Sequence, residues 1–186
     1  MTVLVCRSQR TRGPPSLANP NFHTPGPWVW LLKVVDALIK AMIGLLQRVS
    51  AASVTIEGET VGHIDRGLVV LVAVHRDDED RDIARLAERI LTYRVFPDDE
   101  GRMNRSLLDE HHGLLLVPQF TLAADTRKGT RASFTKAAAP DKGAAYFERL
   151  VAACRDRLDT VETGRFGANM QVSLTNDGPV TFWLET

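Results

Sequence analysis

Two apolar runs constrain the fold of this chain more than any other feature of its sequence. Residues 67–74 (GLVVLVAV) and residues 113–117 (GLLLV) contain no polar side chain. Short apolar runs of this kind, rich in β-branched residues in the first case, predict strands that are buried on both faces. The core of the protein is therefore expected to contain a sheet.

Helical patterns lie between and after these strands. An acidic start at 77–82 is followed by apolar residues at helical spacing as far as Leu91, which predicts an amphipathic helix. Residues 140–158, with proline near the first turn, predict a second helix. The other predicted elements are strands at 43–49, 53–56, 60–64, 161–166, 169–174 and 180–184, a turn at 97–101 and a polar loop at 125–136. We expect a mixed α/β fold, with a strongly curved, partly barrel-like mixed sheet and two packed helices.

The first 41 residues differ in composition from the rest. Residues 7–27 are rich in Pro, Ser, Asn and Gly and lack periodicity, which predicts disorder. Residues 28–41 are apolar but contain three charged side chains, which favours an amphipathic helix over a membrane span. This extension is either a membrane-surface or targeting segment, or a leader outside a native protein that starts at Met42. The sequence favours the second interpretation, with a single domain at 42–186.

Charge is balanced over the 186 residues but unevenly distributed. Residues 1–41 hold five basic side chains and one acidic side chain, so the rest of the chain holds 18 basic and 22 acidic ones. A mildly acidic body argues against a broad nucleic-acid interface, which requires a basic face. Cys6 and Cys154 lie in unlike contexts and are expected to be free thiols in a reducing compartment.

Two strand-like segments are interrupted by residues with special backbone geometry. The first is 117–122 (VPQFTL) and the second is 175–182 (TNDGPVTF). In the second, Gly178 can adopt angles closed to other residues, and Pro179 fixes its own φ and donates no hydrogen bond. Together the two segments resemble the signature of the D-aminoacyl-tRNA deacylases, and the resemblance extends from about residue 42 to 186. The family usually has serine where this chain has Pro118.

The resemblance implies an enzyme that hydrolyses D-aminoacyl-tRNA, the ester that joins a mischarged D-amino acid to tRNA. It implies a cytoplasmic homodimer with the active site at the dimer interface, no metal or cofactor, the aminoacylated 3′ end of tRNA as partner and no membrane association. It further implies that the Gly178–Pro179 bond is cis and that this pair reaches into the partner's pocket. Two backbone carbonyls there would collide with an L side chain, so glycyl-tRNA is expected to be hydrolysed too.

Thr121 has three possible roles in the first segment. It is a nucleophile if a base stands within hydrogen-bond reach. Neither segment contains His, Lys or Glu, and the only Asp in them, Asp177, is a turn residue of the second segment. Thr121 is otherwise a β-branched residue that completes a strand. The third hypothesis suits the residues better: the backbone N–H groups of Phe120 and Thr121 form an oxyanion hole. The resemblance implies that the 2′-hydroxyl of the tRNA then assists water.

Other positions are assigned to substrate binding. Gln119 and Phe120 are expected to hold and stack the terminal adenosine. Phe166 and Met170 match positions that line this pocket in the resembled family, and core packing is the alternative for both. If the family's serine acts through its backbone carbonyl or its packing, Pro118 can take its place. If the serine acts through its hydroxyl or N–H, the proline loses a hydrogen bond to the adenosine, which costs about 1 kcal/mol.

Arg48 resembles an arginine that supports the Gly–Pro loop, with an ordinary salt bridge as the alternative. The basic residues Arg127, Lys128 and Arg131 are either phosphate contacts or a solvated loop. His63 and His75 are expected to be surface or edge residues, and His111 and His112 belong to a solvated loop rather than a zinc site. The acidic residues 98–100 are expected to form a plain turn.

Two alternatives to the deacylase hypothesis remain open at the sequence level. A generic acyl hydrolase that uses Thr121 would be indifferent to chirality and sensitive to loss of its hydroxyl group. A catalytically silent module would bind the 3′ end of tRNA without turnover.

Overall fold

The computed structural model describes residues 42–127 and 129–186. The predicted N-terminal extension at 1–41, with Cys6 in it, lies outside the described residues, and so does Lys128. No helix in the two described ranges is long and apolar enough to span a membrane.

A mixed sheet of six strands forms the centre of the described unit. The strands of the chain are β1 (Ile43–Ile56), β2 (Glu59–Ile64), β3 (Gly67–Ala73), β4 (Phe96–Pro97), β5 (Met103–Arg105), β6 (Gly113–Pro118), β7 (Val161–Thr163) and β8 (Gln171–Glu185). The sheet order is β2-β1-β3-β6-β7, and β8 pairs with β1. The pairs β3–β6 and β6–β7 are parallel, while β1 is antiparallel to each of its partners. The two apolar runs are thus adjacent central strands, as their burial predicted.

The sheet curves until its outer strands approach each other. A Cβ atom placed on Gly62 of β2 would lie 3.0 Å from the carbonyl oxygen of Thr163 in β7. Since β2 and β7 are at opposite ends of the strand order, this approach makes the sheet nearly closed. The predicted barrel-like mixed α/β fold is confirmed.

The helices are α1 (Asp80–Thr92), α2 (Leu107–Glu110) and α3 (Pro140–Arg155), with a 3-10 helix at Phe120–Ala123. One face of the sheet packs against α1 and α3 through a large apolar cluster that includes Leu46, Leu86 and Phe147. A second cluster, with Val54, Val69, Leu115 and Val117 among its members, lies on the other side of the strands. Cys154 of α3 is a buried free thiol, and burial raises its pKa to about 12.

Several element boundaries differ from those predicted. The predicted strands at 43–49 and 53–56 form one strand, β1, because β8 pairs along most of its length and bridges the weak segment between them. Helix α1 begins after Glu79, which forms a capping box with Asp82, rather than at Asp77. Helix α3 ends at Arg155 instead of Leu158. The ribbon β4–β5, which flanks the predicted turn, and the four-residue helix α2 were not predicted.

The C-terminal part of the chain differs most from its prediction. Strand β7 ends at Thr163, so Phe166 lies in a turn instead of a strand. Strand β8 starts at Gln171 and continues to Glu185 across the predicted Gly–Pro turn. Pairing with β1 on both sides of the turn explains this continuity, because the register resumes beyond the interruption.

Candidate active site

The first interrupted segment forms a sharp change of direction at the end of a central strand. Strand β6 ends at Pro118, and the next residue still donates a backbone hydrogen bond to β3, from Gln119 N to the Val72 carbonyl oxygen at 2.7 Å. The 3-10 helix follows at once. Proline at the last position of the strand agrees with the expectation that the strand ends there, because its missing N–H breaks the ladder.

The start of the 3-10 helix leaves two backbone donors available. Within residues 42–127 and 129–186, neither the N–H of Phe120 nor that of Thr121 donates a hydrogen bond. The first N–H groups of a helix have no acceptor in the helix itself. Both residues are exposed, so these N–H groups can reach a bound carbonyl oxygen.

The hydroxyl group of Thr121 lacks a base. The side-chain amide of Gln119 donates to Thr121 Oγ1 at 2.5 Å, and no other side chain of the described ranges bonds to this oxygen. An amide N–H is a donor and cannot accept the proton of a nucleophile. The geometry within one chain therefore favours the oxyanion-hole hypothesis over a nucleophilic Thr121. The alternative that Thr121 completes a strand is wrong, because the strand ends at Pro118 and Thr121 lies in the 3-10 helix.

A cavity of about 470 Å³ opens beside this elbow. Its walls come from the end of β6, the start of α3, the turn after β7 and the start of β8. It is large enough for a nucleoside or an amino acid and mostly apolar. The predicted site residues among its lining are Pro118, Gln119, Phe120, Phe166 and Met170.

Two glycines allow the pocket walls to approach each other closely. A Cβ atom on Gly143 of α3 would lie 3.0 Å from Cζ of Phe166, so this glycine lets the ring pack on the helix. A Cβ atom on Gly164 would lie 2.7 Å from Sδ of Met170 and 3.4 Å from Cδ of Pro118. The roles of these glycines were not predicted from the sequence, because the contacts of Gly143 with Phe166 and of Gly164 with Pro118 join parts of the chain that are far apart in sequence.

The second interrupted segment forms a loop that projects from the pairing of β1 and β8. Gln47 pairs with Thr181 and Val49 pairs with Asn176, so residues 177–180 all lie opposite the single residue Arg48. The Gly178–Pro179 peptide bond in this loop is cis, as the resemblance implied. Gly178 has a φ of +138°, which L side chains rarely adopt, and both Gly178 and Pro179 are exposed.

Arg48, on β1, binds the loop that lies opposite it. Its Nε donates to the Asp177 carbonyl oxygen at 3.0 Å and lies 3.3 Å from the Asp177 carboxylate. Its Nη1 donates to the Val95 carbonyl oxygen at 2.6 Å, and its side chain is only 11% exposed. The contact expected from the resemblance is therefore present, and it is charge-assisted and shielded from solvent.

Asn176 closes the same loop from within. Its side-chain oxygen accepts from Val180 N at 2.7 Å, and its Nδ2 donates to Thr181 Oγ1 at 2.9 Å. Because it bonds the backbone on the far side of Gly178–Pro179, Asn176 determines the width of the loop. The sequence alone did not predict this role of Asn176. Its position two residues before the Gly–Pro pair was the available signal.

The structure groups the predicted residues, except Thr121, into two sets. Thr121 belongs to the 3-10 helix beside the pocket and is not among the residues that line it. The first set lines the pocket, and the second, with Arg48, Gly178 and Pro179, forms the loop. Neither Gly178 nor Pro179 is among the residues that line the pocket of the same chain. An exposed loop outside its own pocket is available to a second protein molecule.

Among the remaining candidates, two histidines differ from expectation. His112 is half-buried rather than solvated: its ring packs edge-on against Phe96 at a centroid distance of 5.1 Å, and burial lowers its pKa. His75 is buried rather than at the surface, and burial lowers its pKa. Beside it, burial raises the pKa of Asp78 to about 6. The backbone N–H of His75 donates to the Asp78 carboxylate at 2.7 Å, which lowers this pKa but does not offset the effect of burial. No group of three His, Cys, Asp or Glu side chains in the described ranges is arranged to hold a metal ion.

One member of the basic cluster Arg127, Lys128 and Arg131 is paired with an acidic side chain. The Arg127 guanidinium bonds the Asp125 carboxylate, with Nε 2.9 Å from Oδ1, and holds the pKa of Asp125 well below its usual range. Arg131 is exposed, and Lys128 lies outside the described residues. The acidic turn is confirmed as a turn, since Asp98 accepts hydrogen bonds from the backbone N–H groups of Glu100 and Arg102.

Two comparisons of solved structures support the fold. A solved structure named c-Myc DNA Unwinding Element Binding Protein is 35% identical, with a TM-score of 0.75, and the match covers 78% of this chain and 99% of that one. A second, described as a probable eukaryotic D-amino acid tRNA deacylase, is 19% identical with a TM-score of 0.70 and covers 78% and 100%. At that identity the second comparison shows likeness of fold alone.

Curated relatives are much closer in sequence. A protein of Alkalilimnicola ehrlichii named D-aminoacyl-tRNA deacylase is 62% identical over 144 residues, which are 77% of this chain and 96% of the relative. One of Pseudomonas aeruginosa with the same name is 61% identical over 145 residues, or 78% and 100%. Residues 45–185 also match the family model described as D-Tyr-tRNA(Tyr) deacylase, so the match contains both interrupted segments. This chain therefore belongs to the D-Tyr-tRNA(Tyr) deacylase family.

Proposed function

We propose that this protein hydrolyses the ester bond of D-aminoacyl-tRNA and releases the free D-amino acid and tRNA. The observation that carries this proposal is the pocket of about 470 Å³ beside an elbow with two unengaged backbone N–H groups, that of Phe120, which lines the pocket, and that of the next residue, Thr121. An ester carbonyl that gains negative charge during hydrolysis needs such donors. The names of the relatives at about 60% identity agree with this activity.

The chemistry requires little covalent participation by the protein. The terminal adenosine binds between Phe166, Met170 and Phe120, and its ester carbonyl oxygen accepts from the N–H groups of Phe120 and Thr121. Water, positioned by the 2′-hydroxyl of the RNA, adds to the carbonyl carbon. The bond from this carbon to the 3′-oxygen then breaks, and the 3′-oxygen takes the proton that the attacking water releases. Orientation and electrostatic stabilisation supply the rate increase.

Chirality is controlled by the Gly178–Pro179 loop in this proposal. The active form is a homodimer in the cytoplasm, and each loop enters the pocket of the partner subunit. The exposure of the loop and its separation from its own pocket support this arrangement. The loop carbonyls face the α-carbon, so that an L side chain collides while a D side chain points away. The supports from Arg48 and Asn176 keep the loop rigid enough for a collision to be costly.

Replacing Thr121 with alanine is expected to change kcat/KM for D-Tyr-tRNA by less than about tenfold, because its N–H rather than its hydroxyl group acts. Loss of a true nucleophile would cost a factor of about 10⁴ or more. Single-turnover hydrolysis checks this, with Thr130→Ala in the exposed loop as the matched control. A near-complete loss in a folded Thr121→Ala variant would restore the nucleophile hypothesis.

Glycyl-tRNA is expected to be a substrate, because a design based on collision with a side chain does not exclude a residue without one. Its kcat/KM should exceed that of L-alanyl-tRNA by at least about 100-fold, at the upper end of what one methyl group contributes. Both rates are measured with the same tRNA body at excess enzyme. Resistance of glycyl-tRNA under conditions that cleave D-alanyl-tRNA would contradict this mode of selection.

The activity itself is tested with D-Tyr-tRNA and L-Tyr-tRNA side by side, with the full chain and a chelator present. Rapid loss of the D ester alone supports the proposal. Loss of both esters supports the generic hydrolase that ignores chirality. Binding of the tRNA 3′ end without cleavage of either ester supports the silent binding module.

A further inference from the structure

An exposed pair of aromatic rings lies at the edge of the pocket. Phe120 is 55% exposed and Phe134 is 43% exposed, although both are large apolar side chains. Their ring centroids are 5.1 Å apart, and the ring planes are tilted by 51°. Phe120 lines the pocket and Phe134 does not, so Phe134 continues the aromatic surface outward from it.

The backbone on both sides of Phe134 is held in place. On one side, Asp125 and Ser133 exchange two backbone hydrogen bonds of 2.7 and 3.0 Å. On the other side, Arg76 donates from its backbone N–H to the Lys136 carbonyl oxygen at 2.9 Å. The Phe134 carbonyl oxygen also accepts from Ala137 N at 3.0 Å. A ligand that contacts this ring therefore does not have to order the segment that carries it.

Basic residues flank Phe134 in the sequence, which suits an anionic chain. Arg131 and Lys136 lie within three residues of Phe134, and Arg131 is exposed. The nearest acid on the loop, Asp125, is neutralised by Arg127. Aromatic rings with cations beside them are how proteins hold successive bases of a single strand, by stacking on the bases and attraction to the phosphates. A purely apolar protein partner would not need this surrounding charge.

We propose that Phe134 stacks on the base that precedes the terminal adenosine of the tRNA, the last cytosine. This inference rests on the proposed function, since it places the 3′ end in the pocket. Phe120 closes the pocket over the adenosine, and Phe134 receives the next base of the unpaired end. The protein thereby distinguishes a tRNA end from a lone aminoacyl nucleoside.

The test compares two substrates, D-Tyr-tRNA and the D-tyrosyl ester of adenosine, which has no second base. Phe134→Ala is expected to raise KM for D-Tyr-tRNA about 5- to 20-fold and leave kcat unchanged, within the range of base–aromatic stacking. Both constants for the adenosine ester should stay unchanged. Phe134→Tyr should restore KM, and Met103→Ala, which truncates an exposed apolar side chain on β5, is the matched control.

Each other outcome contradicts the proposal in a recognisable way. Equal effects of Phe134→Ala on both substrates mean that the ring supports the pocket structurally. No effect on either substrate means that the ring does not contact the RNA. A change in oligomeric state by size-exclusion chromatography means that Phe134 lies between protein subunits. A wild-type protein that cleaves neither substrate overturns the proposed function first, independently of any Phe134 variant.

Discussion

Replacing Gly178 with alanine is expected to lower the ratio of kcat/KM for D-Tyr-tRNA over L-Tyr-tRNA by at least about 100-fold. A Cβ atom at this position would lie 2.7 Å from Cγ2 of Val180, 3.0 Å from its backbone N and 3.1 Å from Nη2 of Arg48. The loop must move, because the added Cβ atom is too close to a backbone atom as well as to side chains. Once the loop carbonyls are displaced, the L side chain no longer meets a fixed obstacle.

Gly101→Ala provides the matched control for this variant. Gly101 also has a positive φ, +79°, but a Cβ atom there would meet nothing within 4 Å. Both substitutions place a side chain at a positive φ, which costs about 1 kcal/mol or more. Only Gly178→Ala should alter the D-to-L ratio. A folded Gly178→Ala protein with wild-type discrimination would show that the loop does not select chirality.

Gly67→Ala is expected to destabilise the fold by at least about 3 kcal/mol, which lowers Tm by about 6–12 °C in a protein of this size. A Cβ atom on Gly67 would lie 1.9 Å from the carbonyl oxygen of Gly113 and 2.7 Å from its carbonyl carbon. These atoms belong to the neighbouring strand β6, so the collision separates the backbones of two central strands. Since β6 leads into the elbow, activity should fall with stability.

The control for Gly67→Ala is Gly44→Ala in β1. A Cβ atom on Gly44 would meet Cδ1 of Leu86 and Cγ1 of Val70, each at 3.2 Å, and both are ends of side chains that can shift. Its cost should stay near 1 kcal/mol. Thermal unfolding of the two variants and wild type measures the difference. Equal Tm values for both variants would show that the Gly67–Gly113 approach is not a structural constraint.

The candidate site was predictable to different degrees. The elbow at 118–121 was visible in the sequence because proline at the end of an apolar run interrupts a strand by its own covalent structure. The Gly–Pro loop was visible for the same reason. The supporting contacts of Asn176 and Gly143 were not, because each depends on which distant backbone lies beside it. Phe166 was assigned to a strand that stops three residues earlier, and that boundary depends on pairing with β6.

Burial of apolar runs and the special geometry of Gly and Pro are local properties, so they could be predicted from the residues alone. The sequence therefore specified the central strands β3 and β6, the two long helices and the places where strands are interrupted. Three features became known only from the folded chain: β1 and β8 pair across the interruption, residues 177–180 lie opposite Arg48, and Phe134 lies beside Phe120. Those outcomes depend on contacts between residues far apart in the chain, whose free energies no local pattern encodes.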